Sequence, residues 1–182
     1  MDLVQKALFF ATIKHKGQYR KGNQKVEYIK HPINVYINLK MYFEYDDNML
    51  AAAYLHDTLE DTNTTYTELI YNFNDDIANL VVELTNDEEE LKKVGKTEYL
   101  SKKMASMSSR ALDIKLCDRL DNIIGCFYTN EKFMNKYTEE TEKIIDYIIE
   151  NRELTANQRK VISRILSTIE ILKTKKLVLK KD

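Results

Sequence analysis

The feature that most constrains the fold is the scarcity of residues that interrupt helices. The chain of 182 residues contains only four glycines and one proline, which is few for an all-β or an α/β protein. Apolar residues instead recur at helical spacing over long segments. The clearest apolar stripe consists of Val161, Ile162, Ile165, Leu166, Ile169 and Leu172. The sequence therefore predicts an all-α fold, a helical bundle.

Local signals indicate where some helices begin. The patterns TxxE at residues 65–68 and TxxQ at residues 155–158 match capping boxes, so helices should begin near both. Pro32 suits the first position of a helix, which would make His31 roughly the N-cap. The segment from about residue 16 to 30 is expected to be extended or looped.

Charge and composition exclude several classes of partner. The formal net charge is −1, which gives no reason to expect a nucleic-acid-binding surface. No stretch approaches 18 apolar residues, so no membrane span or membrane partner is expected. The opening MDLVQKALFF is too soon interrupted for a secretory signal. The two cysteines, Cys117 and Cys126, form no disulfide framework, which fits a reducing cytoplasm.

Residues 51–62, AAAYLHDTLEDT, concentrate one histidine and three carboxylates behind an apolar lead-in. In a continuous helix His56 would lie beside Glu60, and Asp57 beside Asp61, so all four would border one pocket. An exposed acidic helix face is the plain alternative, because an HD dipeptide alone is common. Facing an apolar core, however, these groups would need a charged partner, and a divalent metal is the simplest one.

Two other segments favour the metal. YIKHP places His31 at a helix entrance, and ALDIKLCDRLDNI places Asp118 inside an apolar stripe, with Asn122 one turn later. Two histidines and two aspartates suit manganese or iron better than a structural zinc. Glu60 and Asp61 then remain free beside the metal, where a hydrolase needs groups that position water and transfer protons.

The order H…HD…D, formed by His31, His56-Asp57 and Asp118, resembles the HD-domain phosphohydrolases. The flanking segments are more specific. Three segments are similar to parts of the RelA/SpoT hydrolase domain. The first is HKGQYRKGNQKVEYIKHP, which leads to the first metal histidine. The second, AAAYLHDTLEDT, is similar to the family's ALLHDxxEDT, and the third, KLCDRLDN, is similar to its KLADRLHN. LTND followed by KTEYLSKKM resembles the link between them. The resemblance covers about residues 3 to 127.

The resemblance implies one HD phosphohydrolase domain over residues 1–182, with its core at about 3–127 and C-terminal helices at about 134–173. The chain has no room for the family's synthetase domain, so it resembles a stand-alone small alarmone hydrolase. The C-terminal segment reads as two further amphipathic helices. These helices either complete the bundle or form a dimer surface, so a homo-oligomer is possible.

The activity that the resemblance implies is hydrolysis of the 3′-pyrophosphate of ppGpp or pppGpp, giving GDP or GTP and pyrophosphate, with one Mn²⁺ per chain. By position, the metal ligands would be His31, His56, Asp57 and Asp118. Glu60 and Asp61 match the family's catalytic pair, which orients or activates the water.

The resemblance also assigns a nucleotide side to the site. Arg20 matches an arginine that stacks on guanine, and Lys21 would lie by the same nucleotide. Tyr28 and Asn122 match pocket positions near the nucleoside. Each of these residues also has an ordinary explanation, because Arg20 and Lys21 lie in a charged loop, tyrosines commonly pack, and Asn122 could satisfy a backbone group.

The chain departs from the family pattern close to the last motif. Asp121 replaces a residue that is commonly histidine or aromatic, and Ile124 and Gly125 replace a basic residue and a threonine. These positions are expected to alter the nucleoside side and to touch no metal ligand. Two alternatives therefore stay open: an HD-domain phosphatase of another nucleotide such as NADPH, and a non-catalytic nucleotide sensor.

Overall fold

The computed structural model describes residues 2–179, and it describes their side chains except at positions 23, 24 and 175–179. This part of the chain is mainly helical, which confirms the all-α prediction. Its α-helices are α1 (Leu3–Lys14), α2 (Lys30–Tyr42), α3 (Asp47–Leu55), α4 (Thr58–Asp61), α5 (Tyr66–Asn72), α6 (Asp75–Leu84), α7 (Glu88–Val94), α8 (Lys96–Ser106), α9 (Ser109–Gly125), α10 (Glu131–Asn151) and α11 (Ala156–Leu179). A 3₁₀ turn spans Cys126–Tyr128, and the strands β1 (Tyr19–Arg20) and β2 (Asn23–Glu27) pair antiparallel.

Both predicted capping boxes begin helices. At α5 the Thr65 hydroxyl accepts the backbone N–H of Glu68 at 3.2 Å. At α11 the Thr155 hydroxyl accepts the backbone N–H of Gln158 at 3.1 Å, and the Gln158 side chain accepts the backbone N–H of Thr155 at 3.0 Å. These bonds satisfy donors that have no partner inside the helix, so the two predicted starts are confirmed.

The prediction that His31 caps α2 is wrong. The helix begins at Lys30, with Ile29 at the N-cap, so Pro32 is its third residue. Proline is tolerated there because the first N–H groups of a helix have no intrahelical partner. The His31 backbone N–H instead bonds to the Tyr28 carbonyl at 2.8 Å, which closes the turn before the expected start. The His31 ring still lies at a helix entrance.

Two helices lie at the centre of the fold. Every residue of α3 from Met49 to Leu55 is buried, and this helix packs against α1, α2 and α6. Its alanines at 51–53 let these neighbours approach closely. Helix α9 packs against α2 on one side and α11 on the other, and α10 packs against α8. The apolar stripe of α11 is buried except at Leu166, which is half-buried, so this helix helps to complete the bundle.

The hairpin between α1 and α2 confirms the extended segment that was predicted near residues 16–30. Its tip needs glycine for two reasons. Gly22 has a φ of +84°, which other residues rarely adopt, and a Cβ there would lie 2.9 Å from the Thr129 side chain. The hairpin therefore packs against the turn that follows α9, and this contact holds Arg20 over α9.

None of the helices within residues 2–179 combines the length and apolar character that crossing a bilayer requires.

Candidate active site

The HD dipeptide interrupts the helix that was expected through residues 51–62. Helix α3 ends at Leu55 and α4 begins at Thr58, so His56 and Asp57 lie in the bend between them. The Nδ1 atom of His56 lies 2.9 Å from the Ala53 carbonyl. Because a carbonyl oxygen only accepts, Nδ1 carries a hydrogen, and Nε2 is the ring nitrogen that faces the cluster and can coordinate a metal. The expectation of one continuous helical face is therefore wrong, and the bend turns the two side chains inward.

Four side chains bring potential ligand atoms together at this bend. His56 Nε2 lies 3.3 Å from His31 Nε2 and 3.0 Å from Asp57 Oδ2. Asp118 Oδ1 lies 3.1 Å from His31 Nε2 and 3.9 Å from His56 Nε2. Ligand atoms held about 2.1 Å from one metal lie about 3.0 to 3.4 Å from their neighbours. His31, His56 and Asp118 therefore form a set whose spacing and N/O chemistry fit one divalent ion, and Asp57, the fourth predicted ligand, lies beside both histidines.

The carboxylates of this cluster are held in their charged form. Burial by itself raises the pKa of Asp118, but the Lys115 ammonium at 2.9 Å and the nearby histidines outweigh it and hold that pKa well below its usual value. The pKa of Asp57 is also lowered, because His56 and His31 outweigh the effect of burial. Both aspartates are therefore ionised at neutral pH, which is the form that coordinates a metal.

The residues that depart from the family pattern were expected to contact no metal ligand, and this expectation is wrong at Asp121. Asp121 contacts His31, one of the predicted ligands. Its Oδ2 lies 2.6 Å from Nδ1 of His31, and its Oδ1 accepts a hydrogen bond from Asn34 Nδ2 at 2.8 Å. The reason is helical geometry, since Asp121 lies three residues after Asp118 and so shares its face of α9. A carboxylate at this position therefore reaches the far side of the His31 ring.

A cavity of about 570 Å³ opens over the cluster. The predicted site residues that line it are Arg20, Lys21, Tyr28, His31, Asp57, Glu60, Asp61, Asp118 and Asn122. His56 lies behind this lining, fully buried, with only its Nε2 directed at the cluster. The structure thus places all the predicted site residues in or directly behind one cavity.

The residues predicted for the nucleoside side also contact the carboxylates of the cluster. The Tyr28 hydroxyl donates to Asp57 Oδ2 at 2.5 Å and lies 3.1 Å from Asp61 Oδ2. The Asn122 amide donates to Asp118 Oδ1 at 2.5 Å. Burial and the charge of Asp57 raise the pKa of Tyr28, so its hydroxyl remains a donor. The nucleoside side and the metal cluster are therefore hydrogen-bonded to each other.

Glu60 and Asp61 differ in how they are held. The Glu60 carboxylate accepts the Asn86 backbone N–H at 3.0 Å and the Asn86 amide at 3.1 Å, so it lies away from His56. The Asp61 backbone carbonyl accepts the Gln18 amide at 2.7 Å, while its carboxylate lies near Tyr28. Burial and the negative charge of Asp57 raise the pKa of Asp61. The raised pKa makes the Asp61 carboxylate a stronger proton acceptor than an unperturbed aspartate.

The part of the basic cavity wall that lies on α9 was not predicted from the sequence. Lys96 of α8 and two residues of α9, Lys115 and Arg119, line this wall. The Arg119 guanidinium donates to the Thr141 hydroxyl at 3.0 Å and lies 5.4 Å from the centre of the Tyr137 ring. Charged residues at one-turn intervals inside the apolar stripe of α9 are the signal that could have found it. Cationic groups of this kind suit phosphate oxygens.

Comparisons with known proteins agree with this site. The HD domain family matches residues 7–153. The chain is 39% identical over 122 residues to guanosine-3′,5′-bis(diphosphate) 3′-pyrophosphohydrolase MESH1 of Xenopus tropicalis, covering 66% of this chain and 68% of the relative. It is 36% identical over 150 residues to guanosine-3′,5′-bis(diphosphate) 3′-pyrophosphohydrolase of Aquifex aeolicus, covering 78% of this chain and 20% of that longer protein. A solved structure described as a metazoan ortholog of SpoT that hydrolyzes ppGpp aligns with a TM-score of 0.80 at 29% identity, covering 92% of this chain and 95% of that one.

Proposed function

We propose, on the premise that the chain belongs to the HD domain family, that it is a metal-dependent hydrolase of ppGpp and pppGpp. It removes the 3′-pyrophosphate and leaves GDP or GTP. The observation that carries this proposal is the meeting of His31, His56 and Asp118, with Asp57 beside both histidines, beneath a cavity lined by basic residues. Relatives of similar sequence and fold are named as enzymes of this reaction.

The residues that would hold the metal are His31, His56, Asp57 and Asp118. Their two imidazole nitrogens and carboxylate oxygens suit a borderline ion, and we propose one Mn²⁺ per chain. The chemistry that such an ion supplies is polarisation of the phosphoryl group and activation of water.

The chain's own carboxylates would handle the water and its proton. Glu60, held by Asn86, presents a fixed acceptor that orients a water molecule in the cavity. Asp61, with its raised pKa, accepts the proton that the water loses. The water oxygen bonds to the phosphorus next to the 3′ oxygen, and the bond between that phosphorus and the 3′ oxygen breaks. Pyrophosphate leaves with the new oxygen, and a proton completes the 3′ hydroxyl.

The rest of the cavity would bind the nucleotide. Arg20 presents a planar guanidinium that can stack on guanine, which a lysine cannot do well. Lys21 lies on the same side, and Asn122 links this side to Asp118. Lys96, Lys115 and Arg119 line the opposite wall, where they would neutralise phosphate charge.

The C-terminal helices support a single domain. Because α10 packs against α8 and α11 packs against α9, we propose that they belong to the same HD phosphohydrolase domain as residues 3–127. Helix α10 also supplies Phe133 and Tyr137 to the cavity wall. A cytoplasmic location, where nucleotide alarmones are made and consumed, remains our prediction.

The test is the identity of the products. Purified protein with manganese is offered ppGpp and NADPH separately, and the products are separated by chromatography. GDP and intact pyrophosphate from ppGpp are expected. His56→Ala protein, purified in the same way, controls for contaminating phosphatases. Phosphate release from NADPH with ppGpp untouched would overturn the substrate, and nucleotide binding without any product would favour a sensor.

A further inference from the structure

We propose that Asp121 is a positioning residue that ties the metal half of the site to the nucleotide half, and that Gly125 makes room for this tie. The inference rests on the proposed function, because it takes His31 as a metal ligand and Arg20 as a nucleotide-binding residue. Asp121 and Gly125 lie on α9, one turn apart.

One carboxylate oxygen of Asp121 carries the connection. Its Oδ2 lies 2.6 Å from His31 Nδ1 and accepts a hydrogen bond from Arg20 Nη2 at 2.9 Å. The other oxygen accepts the Asn34 amide at 2.8 Å, which fixes the plane of the carboxylate. The Asp121 and Arg20 side chains are only 7% and 17% exposed, so water competes little for these bonds. Neither the imidazole nor the guanidinium can move without disturbing the other.

The contact with His31 acts on the metal side. A carboxylate that accepts the Nδ1 hydrogen keeps it on that nitrogen, so Nε2 is the nitrogen that faces the cluster and can coordinate a metal. The same contact fixes the orientation of the ring. Loss of a carboxylate in this position typically costs about 10- to 100-fold in metal affinity or activity.

The contact with Arg20 acts on the nucleotide side and depends on Gly125. The backbone of Gly125 is helical, with a φ of −57°, so its conformation does not require glycine. A Cβ at this position would lie 3.0 Å from Arg20 Nη2. Glycine therefore lets the guanidinium lie against the end of α9, one turn beyond Asp121. Arg20 is thus placed before the nucleotide arrives, which reduces the side-chain ordering required on binding.

The experiment compares four variants by two measurements: the manganese dissociation constant of the purified protein, from equilibrium titration without nucleotide, and KM and kcat for ppGpp. Asp121→Asn keeps the shape but removes the charge. We expect it to weaken manganese binding by about 10-fold or more and to raise KM. Gly125→Ala displaces only the arginine, and its backbone is already helical. We expect it to raise KM by less than the roughly 10-fold of Arg20→Ala, with manganese affinity unchanged. Ile171→Ala, exposed on α11 and outside the cavity lining, is the control and should change neither value.

The outcomes separate this inference from the proposed function. If Asp121→Asn leaves manganese affinity and KM within about twofold of the wild type, the tie does not exist. If Gly125→Ala leaves KM unchanged, or weakens manganese binding as much as Asp121→Asn does, the role assigned to Gly125 is wrong. If the wild type does not hydrolyse ppGpp, the proposed function fails, yet the manganese titrations still decide whether Asp121 positions His31.

Discussion

Two aspartates on α9, the buried Asp118 and the half-buried Asp113 five residues before it, show how differently the two sides of this helix are built. Asp118 faces the cavity, and Lys115 and the histidines hold its pKa well below the usual value despite burial. Asp113 faces α11, where the neutral Gln158 amide donates to it at 2.7 Å. Burial raises the pKa of Asp113 to about 6, and Gln158 and the charge of Arg152 offset this only in part.

The difference indicates that charged partners, and not burial itself, decide in which direction the pKa of a carboxyl group on α9 moves. Burial acts in the same direction on both aspartates. On the cavity side, cationic groups were assembled around Asp118, which prepares it to bind a metal. On the α11 side, apolar packing stabilises the fold, and the ionised Asp113 lowers that stability locally. The variants below test this division, from the largest expected effect to the smallest.

Removal of a histidine from the cluster should have the largest effect. His56→Ala should abolish both metal binding and turnover, because Asp57 and Asp118 lose a shared neighbour and the metal loses a ligand. Metal content per chain and the rate of ppGpp hydrolysis are the measurements. His15→Gln, which changes the buried histidine outside the cluster, should still bind one metal ion per chain. Full activity of His56→Ala in strong chelator would contradict the metal assignment.

Removal of the Lys115 ammonium should make Asp118 a destabilising residue. Asp113 is already destabilising at neutral pH, because burial outweighs its polar partners. Lys115→Met leaves a buried carboxylate without its nearest ammonium, and breaking such a pair typically costs about 3–5 kcal/mol. The free energy of unfolding is measured by denaturant titration in chelator, with exposed Lys92→Met as the control that should change little. Manganese should restore part of the lost stability, since a ligand that binds only the native state stabilises it. A loss below about 1 kcal/mol would mean that Lys115 does not support Asp118.

Neutralising the two carboxylates beyond the cluster should separate chemistry from metal binding. The double variant Glu60→Gln and Asp61→Asn should keep one metal ion per chain, but kcat should fall by roughly 10²-fold because proton transfer is lost. The matched control neutralises two exposed acids, Glu88→Gln with Glu89→Gln, and should leave kcat unchanged. A near-normal kcat in the first variant would make this pair structural.

The smallest effect is expected at Asp113, and it depends on pH. A folded-state pKa raised to about 6 means that the native state binds the proton more tightly than the unfolded chain does. Stability from this group is therefore present below about pH 4 and is lost as the pH rises through 6. Asp113→Asn should raise the free energy of unfolding at pH 7.5, by about 1 kcal/mol after allowance for partial exposure. The gain should vanish near pH 4, and thermal unfolding at both pH values measures it. A destabilised variant at pH 7.5 would show that the ionised Asp113 is favourably paired in the folded protein.

The residues that sequence reasoning placed correctly are those whose signal is local or carried by a motif. The apolar stripe of α11 and the capping boxes at Thr65 and Thr155 depend on neighbours within one helical turn, so spacing alone predicts them. The order of His31, His56-Asp57 and Asp118 predicted a cluster that the fold does assemble. The bend at His56 was missed, because helix propensity in this segment favours continuation.

The sequence by itself determined that the chain is helical, that two histidines and two aspartates belong together, and that Glu60 and Asp61 lie close to them. Only the tertiary structure decided that Glu60 turns to Asn86 and that Asp121 bonds to both His31 and Arg20. The physical reason is the sequence separation between the residues that make contact. Periodicity reports contacts within a turn, whereas His31 and Asp121 lie 90 residues apart and meet only because α2 packs against α9.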